Sequence, residues 1–116
     1  MTIKAIDSLA PRPVAMEGAS DVSMRMLIGP QDGAATFHMR HFELQPGGHT
    51  PHHSHDYEHE VLVLKGRLLA CSDAGEQEVG PRSVVWVPAN ETHQFRNPFD
   101  EPAEFICLIP APRCCC

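Results

Sequence analysis

Histidine is concentrated in one short segment of this 116-residue chain. Five of the eight histidines lie within the eleven consecutive positions 49–59. Neutral imidazole is a common protein ligand for transition metals near neutral pH, because a metal ion displaces little proton from it. The segment therefore predicts a metal site. The five residues are His49, His52, His53, His55 and His59.

Short strands must position these side chains, because most of the chain has the pattern of β structure. Runs of β-prone or alternating residues recur about every 8 to 12 positions, with turn residues between them, which is typical of an all-β barrel or sandwich. No segment shows a sustained helical period. The sequence predicts eight strands, over residues 22–28, 35–44, 58–65, 67–71, 76–79, 83–87, 93–96 and 103–109.

Strand alternation predicts which histidines face inward together. Side chains two residues apart lie on the same face of a strand, and His53, His55 and His59 share one parity. His93 follows another strand and its turn, and it shares its parity with the apolar Phe95. We therefore expect these four imidazoles to converge on one metal ion.

The histidine segment has two other interpretations. His49 and His52 flank a proline-containing stretch and are expected to be solvated loop residues. The run from His55 to His59 also matches the H-x-x-E-H pattern, in which a helix carries two zinc ligands and a general base. The upstream proline and the β-prone run 61–64 favour a strand there instead, and a peptidase of that kind needs more helical scaffold.

Composition and charge exclude several classes of protein. Hydrophobic residues make up 42% and charged residues 21%, as in a folded globular protein of one domain. The net charge is −6 and no basic run occurs, which argues against nucleic-acid binding. No apolar run approaches the roughly 20 residues that span a bilayer, and no secretory signal begins the chain, so we expect a cytoplasmic protein. The five cysteines do not form a disulfide framework.

The segment from Gly47 to Gly66 resembles the first conserved motif of the cupins. In that family five residues separate a glycine from an H-x-H pair, and three or four residues separate this pair from a glutamate. Six further residues separate the glutamate from a second glycine. His53 and His55 match the H-x-H pair. Counting back from Gly66 puts His59 in the place of the glutamate.

The segment from Gly80 to Asn97 is similar to the second cupin motif, with His93 as its metal ligand and Asn97 closing it. Two departures are present. Seven residues rather than five separate Gly80 from Pro88, and Asn90 stands where a glycine is usual. Asparagine also tolerates positive φ, so the turn remains feasible.

A closer resemblance is to the small single-domain cupins with a four-histidine manganese site. It rests on the motif H-S-H-x-x-E-H-E-x-x-V-L-K-G at residues 53–66 and on the C-L-I-P ending at residues 107–110. It implies an all-β cupin fold, a double-stranded β-helix or jelly-roll barrel over residues 21–110 with little helix. It also implies one divalent transition metal per chain, Mn first, with Fe, Cu, Ni or Zn as alternatives. The implied ligands are His53, His55, His59 and His93.

The same resemblance implies a homodimer in which N-terminal segments are exchanged. Residues 1–20 contain two prolines and no sustained period, so we expect an extended arm that is compatible with such an exchange. Residues 111–116 are expected to form a flexible cysteine-rich tail. The sequence assigns no role to the three thiols of residues 114–116.

Residues of the last strand and of the second strand are expected to line the substrate pocket. Parity groups Phe105, Cys107 and Ile109 on one face, which we expect to face the cavity. By resemblance, Arg40 also points inward, where its guanidinium can hold a carboxylate or enolate; the alternative is a solvated strand residue. Cys107 is either an inert core cysteine or a ligand or redox group.

Four residues around the histidines have open roles. Tyr57 lies between two predicted ligands and either borders the site or packs in the core. Glu58 and Glu60 either accept hydrogen bonds from ligand imidazoles or are solvated. Trp86 is expected in the core.

These residues predict a metal-dependent oxidoreductase, dioxygenase-like, that cleaves a small organic molecule chelating the metal through oxygen atoms. One alternative is a non-catalytic cupin that binds a small molecule or a metal. Another is an isomerase or decarboxylase in which the metal acts only as a Lewis acid. Insensitivity to the removal of dioxygen distinguishes the last of these from the first.

Overall fold

The computed structural model describes residues 1–111, and the predicted cysteine-rich tail from residue 112 onward lies outside the described residues. Within residues 1–111 the chain forms nine strands and two single-turn 3₁₀-helices, Ile6–Ser8 and Pro30–Asp32. No helix in this range is long and apolar enough to cross a bilayer. The strands are β1 (Arg12–Pro13), β2 (Ser20–Ile28), β3 (Phe37–His49), β4 (His59–Lys65), β5 (Leu68–Ser72), β6 (Gly75–Val79), β7 (Val84–Val87), β8 (His93–Arg96) and β9 (Ala103–Pro110).

All eight predicted strands are present, and the main difference lies at the end of β3. The sequence stops this strand at Leu44, before a Pro-Gly-Gly turn, whereas the structure continues it to His49. Gly47 adopts φ +84° and donates its N–H to the carbonyl of Asn97 (2.7 Å). Asn97 in turn donates its own N–H to the carbonyl of Gly48 (2.8 Å). The glycines therefore form an irregularity inside the ladder rather than ending it.

The sheet curls on itself and has the strand order β6-β5-β8-β3-β9-β4-β7, with β2 also pairing with β3 and β1 with β2. The pairings between these strands are antiparallel. β6 and β7 are the two ends of this path, so the barrel is open between them. The expected all-β architecture in a single small domain is confirmed.

An aromatic cluster fills the interior beneath the histidines. Phe42 on β3 pairs in register with Phe105 on β9, and their rings stack with centroids 5.2 Å apart. Phe95 on β8 contacts Phe105 at the same distance. All three rings are buried, and Val63 on β4 lies opposite Phe105. This packed layer forms a rigid floor for the polar layer above it.

The N-terminal arm lies along β2 of its own chain. It includes one 3₁₀ turn and the two-residue strand β1, so the expected arm is not fully extended. Arg25 donates its Nε–H to the carbonyl of Leu9 (2.8 Å). Lys4 forms an ion pair with Asp32 (Nζ to Oδ1 2.7 Å), and this hydrogen-bonded lysine lowers the pKa of that carboxyl. These contacts hold the arm against the barrel at separate points.

Trp86 corrects one prediction. The sequence expects it in the core, but its side chain is 63% exposed. On β7, Val87 is buried and Val85 packs against the core, so the alternate positions Val84 and Trp86 face outward. Trp86 belongs to a set of residues that we call the outer apolar face. The outer apolar face consists of Met39, Leu62, Val84, Trp86, Ile106 and Leu108.

Candidate metal centre

Three imidazoles converge at one level of the barrel interior. His53, His55 and His93 each offer one ring nitrogen, and these three atoms lie within 4.8 Å of one another. The ring centroids are 5.0 to 5.1 Å apart. This spacing allows one ion to contact all three rings.

The route by which these histidines meet differs from the expected one. Residues 50–58 are not a continuous strand; His53 forms an isolated bridge, and His55 lies in the loop before β4. The bridge joins the backbones of His53 and His93 through two hydrogen bonds, of 2.9 and 3.2 Å. Parity therefore grouped three residues that the structure also brings together, but for an incomplete reason, because a bridged loop and not strand alternation joins them.

His59 lies against this three-histidine cluster. It is the first residue of β4 and is 1% exposed. Its Nε2 is 2.8 Å from Nε2 of His55, and its ring centroid is 5.2 Å from that of His93. Two nitrogens bound side by side to one metal at about 2.1 Å lie about 3 Å apart. The fourth predicted ligand is therefore at a suitable distance from His55.

Backbone carbonyls fix the protons of two of the rings. Nδ1 of His55 is 2.8 Å from the carbonyl of Tyr57, and Nδ1 of His93 is 2.9 Å from the carbonyl of Glu91. A carbonyl only accepts, so each neutral ring donates from Nδ1 and keeps a lone pair on Nε2. Nε2 of His93 is buried and has no hydrogen-bond partner among the described residues.

These atoms fit a divalent transition metal. A buried polar atom without a partner costs about 1–3 kcal/mol, and a metal ion that takes the lone pair of His93 removes this cost. Burial lowers the pKa of His59 to about 2, with smaller contributions from the positive charge of Arg40 and from the neighbouring histidines. His59 is therefore neutral, and no bound proton competes with the metal at neutral pH.

Arg40 and Cys107 lie next to His59 inside the barrel. They are paired in register on β3 and β9, and Arg40 is 1% exposed. The guanidinium donates to Sγ of Cys107 (3.4 Å) and lies over the ring of Phe42 at 5.0 Å. Sγ is 3.2 Å from Nδ1 of His59. Arg40 therefore faces inward as the resemblance implied, and the solvated alternative is wrong.

The other predicted pocket residues occupy different layers. Ile109 is buried on the inner face of β9 and also borders a cavity that includes Phe37 and Glu58. Phe105 belongs to the aromatic floor rather than to the histidine level. Tyr57 is half-buried, and its ring stacks on His55 with centroids 3.9 Å apart.

Glu58 and Glu60 lie on the surface, in agreement with the alternative in which both are solvated. Both are exposed. Glu58 accepts a hydrogen bond from Nε1 of Trp86 (3.0 Å), which ties it to the outside of the sheet. Glu60 pairs in register with Trp86 and Leu108. The acceptors for the ligand rings are therefore carbonyls and a thiol rather than these carboxylates.

The second motif positions its loop through backbone geometry. Asn90 adopts φ +70°, as expected for the residue that replaces a glycine, and it donates its N–H to the carbonyl of His55 (2.7 Å). Asn97 is buried and donates from Nδ2 to the carbonyls of Leu44 (3.0 Å) and Glu101 (2.7 Å). Asn90 therefore connects the second motif to the loop that carries His55, whereas Asn97 connects the end of β8 to β3 and to the loop before β9.

Sequence reasoning missed two buried histidines, His38 and His41, and misplaced a third. His38 lies on the inner face of β3, and its Nε2 donates to the carbonyl of Ala34 (3.0 Å). Its parity with Arg40, two residues later, could have identified it. His49 ends β3 and is half-buried rather than a solvated loop residue, whereas His52 is exposed as predicted.

A cavity of 270 Å³ opens beside His93. It lies where β5 and β6 approach β7, at the open side of the barrel. Its size suits a small molecule. Its lining includes Ala70, Ser72, Val85, Val87, His93 and Phe95.

Comparisons with known proteins agree with this geometry. The Cupin_2 family model, described as a cupin domain, matches residues 40–109. A curated relative, 1-methylthio-D-xylulose 5-phosphate methylsulfurylase from Rhodospirillum rubrum, is 40% identical over 78 residues, which are 67% of this chain and 50% of that protein. The tetracenomycin polyketide synthase protein TcmJ from Streptomyces glaucescens is 28% identical and covers 97% of this chain and 78% of that protein.

A solved structure shows the same likeness in three dimensions. The polyketide cyclase RemF from Streptomyces resistomycificus superposes with a TM-score of 0.93 at 33% identity, covering 97% of this chain and 81% of that one. The match to the Rhodospirillum rubrum relative spans only half of that protein's length. The fold and the family are therefore shared, while the activities of the whole relatives are not transferred by these matches.

Proposed function

The chain belongs to the cupin family, and from this premise we propose that it is a metal-dependent enzyme acting on a small molecule that chelates through oxygen atoms. The convergence of His53, His55 and His93 within 4.8 Å carries the proposal. With His59 they would hold one divalent transition metal per chain, Mn first and Fe, Cu, Ni or Zn as alternatives. Such an ion supplies Lewis-acid polarisation of a substrate oxygen or redox chemistry.

Arg40 is proposed to bind the anionic part of the substrate. Its guanidinium is permanently charged and lies inside the barrel beside Cys107, near enough to His59 to lower the pKa of that ring. A buried guanidinium favours a carboxylate or an enolate oxygen and can bind it through two hydrogen bonds. Tyr57, whose ring stacks on His55, would form an apolar wall beside the bound molecule.

The reaction class that we favour is rearrangement of an enolate-like anion without dioxygen. It is supported by the names of two similar proteins, a polyketide cyclase and a methylsulfurylase. The chain's own contribution would be orientation by Arg40 and the exclusion of water by the aromatic floor.

Oxygen-dependent oxidative cleavage is the second candidate. The proposed donor set is made of neutral imidazoles, and the positive charge of Arg40 lies nearby. Neutral ligands and a nearby cation attract an anionic chelate to a redox-capable ion.

Binding of an oxygen chelator tests the proposal before a substrate is known. Protein loaded with Mn²⁺ is titrated with oxalate and followed by electron paramagnetic resonance. We expect the manganese spectrum to change on saturation, with affinity about tenfold weaker in Arg40→Gln and unchanged in His52→Ala. A spectrum that oxalate leaves unchanged contradicts a metal site open to substrate and favours a non-catalytic metal-binding protein.

Dioxygen dependence then separates the two reaction classes. Turnover of enolisable oxygen chelators is compared in air and under anaerobic conditions. Equal rates support the rearrangement, and loss of turnover without dioxygen supports oxidative cleavage. Binding without turnover under either condition leaves the non-catalytic alternative.

We also propose a homodimer that buries the outer apolar face. Val84 is 79% exposed, beside the exposed Trp86, and a contiguous apolar patch of this kind is typical of an association surface. A second copy presents the same patch and can cover it. Exchange of the N-terminal arm and a cytoplasmic location stay predictions of the sequence.

A further inference from the structure

Four buried or half-buried groups form a continuous hydrogen-bonded chain beside the proposed metal site. It runs from the carbonyl of Tyr57 to Nδ1 of His55 (2.8 Å), and from Nε2 of His55 to Nε2 of His59 (2.8 Å). It continues from Nδ1 of His59 to Sγ of Cys107 (3.2 Å), to which Arg40 also donates (3.4 Å). Each link constrains where the next proton can lie.

The carbonyl of Tyr57 sets the direction of this chain. Because it only accepts, the neutral ring of His55 carries its proton on Nδ1 and accepts on Nε2. His59 therefore donates from Nε2 and accepts on Nδ1, where the thiol of Cys107 is the donor. The contacts thus place the proton of His59 on Nε2, the atom nearest to His55.

A metal bound by Nε2 of both His55 and His59 would replace the hydrogen bond between these two atoms and would reverse the one between His59 and Cys107. The proton of His59 must then lie on Nδ1, and Sγ of Cys107 becomes its acceptor. The thiol keeps its own proton, which points to the carbonyl of Leu108 (3.8 Å). One proton has moved from Nε2 to Nδ1 of the same ring, and none has left the protein.

The acceptor for His59 has to be a side chain, unlike those for His55 and His93. The latter two lie in or beside loops, where the carbonyls of Tyr57 and Glu91 are free to turn toward Nδ1. His59 lies in β4, between β7 and β9, and the carbonyls of a central strand are used by the sheet ladder. A side chain on the neighbouring strand β9 replaces them.

We propose that Cys107 is a positioning residue, whose Sγ accepts the Nδ1–H of His59 and so directs Nε2 of that ring to the metal. This inference rests on the proposed function, because it takes His59 to be a ligand. Arg40, which donates to Sγ from the opposite side, holds the thiol in place. Cys107 itself contacts the ring and not the metal.

Metal affinity tests the role of the thiol. Removal of a group that orients a metal-bound histidine weakens metal binding by about 10- to 100-fold. We expect Cys107→Ala to bind Mn²⁺ and Zn²⁺ at least tenfold more weakly, and Cys107→Ser, whose hydroxyl also accepts, to recover most of the loss. Cys71→Ala is the matched control, since Cys71 lies half-buried on β5 and donates to the carbonyl of Leu69. It should leave metal affinity unchanged.

The position of the ring proton of His59 is a second measurement, and a loss of packing alone does not change it. In Zn²⁺-loaded protein with ¹⁵N-labelled histidine, nuclear magnetic resonance should show His59 protonated on Nδ1 in the wild type and in Cys107→Ser. Unchanged metal affinity in Cys107→Ala overturns the inference. So does a sulfur-to-metal charge-transfer band in Co²⁺-loaded protein, because it would make Cys107 a ligand.

Failure of the underlying function gives a different result. If His59→Ala binds metal as tightly as the wild type, His59 is not a ligand, and both the four-histidine site and the role of Cys107 are overturned. If His59→Ala loses affinity while Cys107→Ala does not, the site stands and only the role of Cys107 is overturned.

Discussion

The two faces of the central strands β3, β9 and β4 differ in how they treat the side chains that are unusual for their position: polar groups lie buried inside, beside the aromatic floor, and apolar groups lie exposed outside. Their inner face carries Arg40, His59 and Cys107, all buried, whereas their outer face carries Met39, Leu62 and neighbouring apolar groups that are partly exposed. Burying a polar group and exposing an apolar patch are both costly. Where one sheet does both, the two costs support the proposals of chemistry on the inner face and of association through the outer face.

The inner face limits its cost by pairing its polar groups and keeping the rings neutral. Arg40 donates to Cys107, Cys107 contacts His59, and burial holds the pKa of His59 far below its usual value. The outer face cannot lower its cost by pairing, because exposed apolar groups are stabilised only when another surface covers them. We therefore expect substitutions on the inner face to affect folding and metal binding, and substitutions on the outer face to affect the oligomeric state.

The largest expected difference between the faces is in folding stability. Phe42→Ala removes a buried ring that stacks on Phe105, and this class of change lowers the free energy of unfolding by about 3–5 kcal/mol. Leu62→Ala on the outer face, where the side chain is 41% exposed, should cost the monomer less than about 1 kcal/mol. Urea denaturation at low protein concentration measures both. Equal losses would contradict the assignment of the two faces.

A smaller effect is expected on association. Trp86→Ser removes the largest exposed ring of the outer apolar face, and an interface tryptophan contributes about 2 kcal/mol, or roughly 30-fold in the dimer dissociation constant. Sedimentation equilibrium measures this constant. Gln77→Ala, on the exposed strand β6, is the control and should change nothing. A wild-type protein that is monomeric at every concentration tested would show that the outer apolar face does not mediate association.

The smallest of these effects is the pH dependence that His59 confers on the metal-free chain. In the unfolded chain this imidazole has a pKa of about 6.5 and binds a proton below it, whereas burial keeps it neutral in the folded chain down to a pH of about 2. Stability is therefore full above pH 6.5 and falls as the pH decreases, by at most about 1.4 kcal/mol per pH unit for one group.

Urea denaturation in the presence of EDTA at pH 7, 6 and 5 checks this dependence. His59→Gln, which carries no titrating group, should show a shallower decline in stability between pH 6 and pH 5 than the wild type. Parallel profiles for the two proteins would show that His59 does not resist protonation in the folded chain.

The strands and the cluster of three histidines could be predicted from the sequence because both leave local patterns. Alternating apolar runs and turn residues located eight strands, and the spacing of the H-x-H pair and of His93 selected the three residues that the structure brings within 4.8 Å. Each of these signals depends on neighbouring residues in the chain. These signals can therefore be recognised without knowledge of strand pairing.

Features that depend on pairing could not be predicted. Every residue around Trp86 is apolar, so the alternation on β7 is hidden until the pairing of Val87 with His59 fixes which side faces inward. The carbonyl acceptors of Tyr57 and Glu91 have no sequence signal, because every residue has a carbonyl. The contact between Cys107 and His59 joins residues 48 positions apart and arises only from the neighbouring positions of β4 and β9.

Metal content is the most direct test of the central claim that the inner histidines form a metal site. Untagged protein, a His53→Ala/His93→Ala double variant and the exposed-residue control His52→Ala are analysed by inductively coupled plasma mass spectrometry. The account predicts about one Mn, Fe, Cu, Ni or Zn per chain in the wild type and the control, and none in the double variant. A wild-type protein without metal, and without uptake on reconstitution, would contradict it.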